Sequence, residues 1–210
     1  METLADTVMK HQGRQRLKLG AATLLALALT ALATSPAAAH TGTGVVGGFS
    51  AGFTHPIFGY DHLLAMLAVG LWGAQIGGRA LWELPVTFPL VMAVGGALGI
   101  AGVPLPQVEV LIALSVLFLG LAIAAAFKPA SWIAMIAIGL FAIFHGHAHG
   151  AELPNSADPL AYAVGFVVAT GLIHLVGIGI GLVVGQRLDG WVTRAIGGAI
   201  AASGVYFLAA

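Results

Sequence analysis

The sequence is 210 residues long and has 8 Lys and Arg against 8 Asp and Glu, so charged residues make up only 8% of it. Hydrophobic residues make up 59%, and the mean hydropathy is +1.00. Soluble domains carry roughly 25% charged residues, because a water-facing surface has to be polar. The composition therefore excludes a soluble enzyme, a nucleic-acid-binding protein and a disordered chain, and it indicates a polytopic membrane protein. The sequence has no cysteine, which excludes disulfides, thiolate metal sites and cysteine nucleophiles.

The N-terminal 39 residues have the three parts of a secretory signal peptide. A basic region between residues 10 and 18 precedes an apolar run from 19 to 33, and residues 37–39 are all alanine. The apolar run of about 15 residues is shorter than the roughly 20 that a membrane span needs. We therefore predict cleavage after Ala39 and a single mature transmembrane domain covering residues 40–210.

Six apolar stretches follow, and short segments with proline, glycine or charged residues separate them. We predict one transmembrane helix for each stretch, near residues 60–78, 85–102, 108–127, 131–150, 160–186 and 193–210. All basic residues of the mature domain fall in the loops on one side, whereas the loops on the other side hold Glu109, Glu152 and Asp158 and no Lys or Arg. By the positive-inside rule, this pattern predicts a bacterial inner membrane protein whose mature N-terminus and C-terminus both face the periplasm.

A first polar cluster surrounds an expected break in the first helix. The apolar sequence around it is too long for one straight helix across the ~30 Å hydrocarbon core, so we expect an interruption near Pro56 and Gly59. His55 precedes the interruption, and Asp61 and His62 follow it at the start of the next helical segment. An ionisable side chain inside a bilayer costs roughly 2.5–3.5 kcal/mol, which makes these residues candidates for an ion site. The alternatives are a helix cap for Asp61 and a hydrogen bond to a backbone carbonyl for His62.

A second polar cluster lies at the end of the fourth predicted helix. His145 and His149 are four residues apart and share a helix face, and Glu152 follows three residues later. Two imidazoles and a carboxylate suit a borderline divalent ion such as Ni²⁺, Co²⁺ or Zn²⁺, although a solvated helix end is the alternative. His147 lies roughly 200° around the helix from His145, and we expect it to face headgroups or water. His174 in the fifth helix is a further candidate ligand or, alternatively, an interhelical hydrogen-bonding residue.

The two clusters resemble the two signatures of the HupE/UreJ family of nickel permeases. The stretch from His55 to Trp72 is similar to the first signature, and residues 144–152 are similar to the second, a Phe-His-Gly-x-Ala-His-Gly-x-Glu pattern. His147 stands at the variable position of that pattern. The resemblance covers the whole chain and implies uptake of nickel, in some members cobalt, for hydrogenase or urease maturation. The family's functional positions match here at His55, Asp61, His62, His145, His149 and Glu152.

We therefore predict an all-α secondary permease, not an enzyme, that imports Ni²⁺ and has no permanent cofactor. Co²⁺ or another divalent metal is the alternative substrate. The lipid bilayer is the other expected partner, a homo-oligomer is compatible with the sequence, and nucleic acid is not expected. Alternatives of another class are a membrane metalloenzyme of the di-iron hydroxylase kind and a b-haem electron carrier with His62, His145 or His174 as axial ligands.

Overall fold

A computed structural model of the chain describes residues 48–153, 158–187 and 190–210. The regular structure of these residues is helical throughout, which confirms the all-α class. The helices are α1 (Gly48–Phe58), α2 (Tyr60–Ile76), α3 (Ala80–Ile100), α4 (Val108–Ala124), α5 (Ser131–Ala151), α6 (Pro159–Arg187) and α7 (Trp191–Ala209). The predicted signal peptide, with its cleavage site after Ala39, lies outside the described residues.

Four of the described helices, α3, α5, α6 and α7, are long and apolar enough to cross a membrane. The pair α1 and α2 passes the same test when it is taken as one bent span. α4 is apolar but has only 17 residues. At 1.5 Å per residue it is about 26 Å long, slightly less than the ~30 Å hydrocarbon core. By length and composition, the described residues thus contain four candidate spans, or five with the bent pair, and a sixth requires that α4 also crosses.

The predicted interruption of the first helix is found at Gly59, where the axes of α1 and α2 differ by 79°. Gly59 has an extended backbone (φ −80°, ψ 97°), and its carbonyl accepts a hydrogen bond from the Leu63 N–H at 2.7 Å. α2 therefore begins directly after the break. Pro56 lies inside the last turn of α1, so the proline is close to the break but does not form it.

α2 is the central helix and contacts every other helix of the described residues. Eleven of its 17 residues are buried, including both ionisable residues of its first turn, Asp61 and His62. The outer surface carries exposed apolar side chains such as Leu90, Leu140 and Leu175. Ionisable groups inside and apolar side chains outside are the arrangement expected of a helix bundle surrounded by lipid.

The packing of α3 along α5 depends on glycine. A Cβ atom at Gly146 would overlap the carbonyl of Met92, and one at Gly150 would overlap the carbonyl of Gly96. Small residues four apart let two helix backbones come into direct contact, which is how helices associate closely in lipid. Glycine residues therefore bring the backbones of this pair into direct contact.

The same glycines determine where the histidines of α5 lie. Gly146 and Gly150 each follow a histidine directly, and neighbouring residues on a helix are about 100° apart. With the glycine face against α3, the adjacent face, which carries His145 and His149, turns towards α2. The ring contacts of both residues with His62 are consistent with this.

Residues 48–52 read Gly-Phe-Ser-Ala-Gly and match the Gly-x-Ser-x-Gly pattern of serine hydrolases. That pattern is functional only where the serine stands at a sharp turn between a strand and a helix. Here it lies within α1, and the Ser50 carbonyl accepts a hydrogen bond from the Thr54 hydroxyl at 2.8 Å. The match is therefore part of an ordinary helix and is not a nucleophile elbow.

The α3–α5 contact predicts that Gly146→Ala lowers the free energy of unfolding by about 1–3 kcal/mol, because the added methyl group forces the two backbones apart. Gly198→Ala on α7 is the matched control, since nothing lies within 4 Å of the carbon it adds. Denaturant titration of both variants in detergent micelles measures the difference. Equal stability of the two variants would contradict the close packing.

Candidate metal-binding site

Four imidazole rings from three helices meet beside the break in the first helix. The ring centroid of His62 on α2 lies 4.4 Å from that of His149 and 4.7 Å from that of His145, both on α5. His55 on α1 lies 4.6 Å from His149 and 6.5 Å from His62. We refer to these four residues as the histidine cluster. The fold thus brings together the histidines of two motifs that lie far apart in the sequence.

Asp61 fixes the orientation of His62. Its Oδ1 atom accepts one hydrogen bond from His62 Nδ1 and another from the His62 backbone N–H, each at 2.7 Å. Both side chains are buried, and the positive end of the α2 dipole stabilises the carboxylate in the first turn. A carboxylate that holds one imidazole nitrogen is the usual way in which proteins orient a metal-binding histidine. The N-cap of α2 is Gly59, without a side-chain capping hydrogen bond, so the alternative of a helix cap for Asp61 is wrong, and Asp61 orients His62 instead.

Because Nδ1 of His62 donates to Asp61, Nε2 is the nitrogen with a free lone pair. No atom of the described residues forms a hydrogen bond with this buried Nε2. The alternative of a backbone carbonyl as partner for His62 is wrong, since the partner is the Asp61 side chain. His62 thus presents an unengaged, buried ring nitrogen to the centre of the histidine cluster.

His145 and His149 are both buried, and both contact His62, as expected of residues on a shared helix face. His145 Nε2 lies 2.9 Å from the hydroxyl oxygen of Ser115 on α4. His149 packs against Phe166 on α6, with 4.2 Å between the ring centroids. Neighbours on α4 and α6 therefore enclose the histidine cluster on the sides that α2 and α5 leave open.

Two carboxylates lie at the exposed edge of the cluster. α5 ends at Ala151, so Glu152 follows the helix directly and is exposed. Glu109, in the first turn of α4, is exposed as well. Both carboxylates interact electrostatically with His62. From the sequence, Glu109 was only a residue of an outer loop, and its proximity to His62 was not predicted. A ligand role for Glu152 stays a prediction.

His174 is buried and lies apart from the histidine cluster. Its ring packs on Phe88 with 5.7 Å between centroids, and Phe88 also contacts His145 at 5.5 Å. Phe88 therefore separates His174 from the histidine cluster. A buried face of α6 joins the same two regions, with Tyr162, Phe166, Thr170 and His174 at intervals of four residues.

His147 is buried, so the prediction that it faces headgroups or water is wrong. Its Nε2–H donates a hydrogen bond to the Val103 carbonyl at 2.7 Å, just beyond the end of α3. The close α3–α5 packing encloses this side of α5, since a Cβ atom at Gly99 would overlap the His147 carbonyl. The hydrogen bond of His147 thus connects α5 to the loop after α3, and His147 lies outside the histidine cluster.

The histidine cluster is not already shaped around an ion. Among the residues that the structure describes, no group of three or more His, Asp or Glu side chains is arranged to hold a metal. The rings contact each other directly, whereas coordination places each nitrogen about 2.0–2.1 Å from a shared ion such as Zn²⁺. An ion can therefore bind between these rings only if they move apart.

The family model described as HupE / UreJ protein matches residues 26–207. The chain belongs to the HupE/UreJ family. Protein HupE of Rhizobium leguminosarum bv. viciae is 44% identical to it over 187 residues, which cover 89% of this chain and 95% of the relative. No solved structure matches the chain. Membership of the HupE/UreJ family implies a nickel/cobalt permease-type role in hydrogenase or urease maturation, and it agrees with the membrane-type helices.

The Asp61–His62 contact predicts energetic coupling between the two side chains. Asp61→Asn, His62→Gln and the double variant should give a coupling energy of about 0.5–3 kcal/mol in denaturant titrations, because each residue is a hydrogen-bond partner of the other. The control pair is Asp61→Asn with His174→Gln, which should be additive within about 0.5 kcal/mol. Equal coupling in both pairs would contradict a specific Asp61–His62 interaction.

Proposed function

We propose that this chain is a permease that imports Ni²⁺ across the bacterial inner membrane and supplies it for hydrogenase or urease maturation. The observation that carries the proposal is the histidine cluster, in which imidazoles from α1, α2 and α5 meet beside a helix break. Ionisable groups are costly inside a membrane, so a buried group of them marks an ion pathway by default. Membership of the HupE/UreJ family supports the same function.

The chemistry of the donor atoms favours a borderline divalent ion. Imidazole nitrogen is a good ligand for Ni²⁺, whereas Mg²⁺ and Ca²⁺ prefer oxygen ligands. His62 Nε2 and His145 Nδ1 are both buried and form no hydrogen bond with any described residue. The chain has no cysteine, so no thiolate adds to the affinity, and a transported ion must be bound weakly enough to leave again.

The proposed route begins at the exposed carboxylates. Glu109 and Glu152 attract the hydrated cation, which exchanges water for the imidazoles of the histidine cluster. It then passes Phe88 along the buried face of α6 and reaches His174, near the middle of that helix. Movement of the cluster's side chains and of Phe88 accompanies each transfer.

The proposed topology has six spans after a cleaved signal peptide. α4 crosses the membrane as the shortest span, which a small local thinning of the bilayer accommodates. The mature N-terminus and the C-terminus are periplasmic, so that Glu109 and Glu152 face the periplasm and Lys128 and Arg194 face the cytoplasm.

Co²⁺ is the alternative substrate, because the same nitrogen and oxygen ligands suit it. A b-haem carrier with His62 and His145 as axial ligands is not favoured. The two rings contact each other at 4.7 Å and leave no space for a porphyrin between them.

Nickel uptake by cells that lack other nickel importers tests the proposal. His62→Ala and His149→Ala should each lower accumulation of the metal at least about tenfold, since each removes a ligand from the cluster. His147→Gln is the matched control, because it changes a buried histidine outside the cluster. Unchanged accumulation of nickel in both alanine variants would contradict the proposed function.

Competition experiments test the predicted ligand type. Excess Co²⁺ should inhibit uptake of labelled Ni²⁺ through the wild-type chain, whereas the same excess of Mg²⁺ should not, because imidazole is a poor ligand for a hard cation. Equal inhibition by the two ions would show that oxygen ligands dominate the route, contrary to the proposal.

A further inference from the structure

We infer that Ser115 is a positioning residue that determines which nitrogen of His145 binds the transported ion. Ser115 lies on α4, outside both histidine motifs, and it is completely buried. The inference rests on the proposed function for the identity of the ion. The placement of the proton on His145 follows from the hydrogen bonds alone.

The Ser115 hydroxyl has two neighbours that differ in what they can do. Its oxygen lies 2.6 Å from the Ile112 carbonyl oxygen and 2.9 Å from His145 Nε2. A hydroxyl group has one hydrogen to donate, and a carbonyl oxygen can only accept. The Ser115 hydrogen is therefore donated to Ile112. Towards His145, the Ser115 oxygen can act only as an acceptor.

It follows that Nε2 of His145 carries a hydrogen. A neutral imidazole has one N–H and one nitrogen with a lone pair, so the lone pair of His145 is on Nδ1. This Nδ1 is buried, and within the described ranges no atom forms a hydrogen bond with it. Ser115 thus leaves Nδ1 as the nitrogen of His145 that is available to a metal.

His62 and His145 are held in complementary ways. Asp61 holds Nδ1 of His62 and leaves Nε2 available, whereas Ser115 holds Nε2 of His145 and leaves Nδ1 available. The two rings contact each other edge to face, with centroids 4.7 Å apart and planes at 84°. Each ring of this central pair therefore has one defined nitrogen available to a metal. Loss of Asp61 or Ser115 would make the second nitrogen of the neighbouring histidine ring available as well.

Half-saturation of nickel uptake tests the inference in the full-length chain. Ser115→Ala should raise the half-saturating nickel concentration about 10- to 100-fold, the usual effect of losing a residue that orients a metal ligand. Ser203→Ala is the matched control, because Ser203 is also buried and also bonds a carbonyl of its own helix, that of Ala199 at 3.1 Å. Equal half-saturation in the two variants would overturn the inference.

Nitrogen NMR of the purified, metal-free chain with ¹⁵N-labelled histidine shows which ring nitrogen of His145 carries the hydrogen. This signal would not change in Ser115→Ala if Ser115 only filled space between the helices. In the wild type, the His145 signal, identified by its loss in His145→Asn, should show hydrogen on Nε2. In Ser115→Ala it should shift towards a mixture of both tautomers, and in Ser203→Ala it should not change. Hydrogen on Nδ1 in the wild type, or the same spectrum in Ser115→Ala, would refute the role of Ser115.

The uptake and NMR experiments together distinguish an error in the inference about Ser115 from an error in the proposed function. A wild-type chain that takes up no nickel would overturn the proposed function and, with it, the metal-binding part of the inference. The NMR arm uses no metal and still decides whether Ser115 sets the tautomer of His145. A wild-type chain that transports nickel, with a Ser115→Ala variant that matches it in both arms, would overturn only the inference.

Discussion

The hydrogen bond between Asp61 and His62 is the interaction on which the candidate site depends. It exists because the chain breaks at Gly59 and restarts as α2, with both residues in the first turn of the most enclosed helix. A buried carboxylate is costly unless it is well hydrogen-bonded. Two hydrogen bonds from His62 and the positive end of α2 offset that cost. The result is an imidazole held at the centre of the bundle with one ring nitrogen free.

The other histidines reach this point through contacts between helix backbones. Glycines on α5 allow direct contact with α3, and the adjacent face of α5 then brings His145 and His149 against His62. Helix packing therefore assembles the cluster, although the rings are not arranged as the ligands of a metal ion in the described residues. The proposed transport requires such a partly organised site, because the ion must be bound weakly enough to leave again.

Much of the fold could be predicted from the sequence, because apolar stretches that end at proline, glycine or charge define helices directly. α2 and α4 to α7 begin and end within three residues of the predicted stretches, and the length of the first stretch indicated a break. The predicted start of α3 at residue 85 is wrong, because the helix begins at Ala80 and contains Pro85. Both histidine motifs were recognisable, since ionisable residues are rare in apolar sequence. The angle of His147 around α5 was predictable, but its burial was not, because that depends on how closely α3 approaches. Ser115 looks like a small packing residue until its two hydrogen-bond partners are known, although serine inside an apolar helix is itself a signal for interhelical bonding.

X-ray absorption spectroscopy of the purified chain loaded with Ni²⁺ tests the central claim most directly, because it identifies the atoms around the ion. We expect stoichiometric binding of nickel with scattering from several imidazole rings, and this scattering should weaken in His62→Ala but persist in His147→Gln. A nickel environment of oxygen ligands without imidazole, or an identical spectrum in His62→Ala, would contradict that claim.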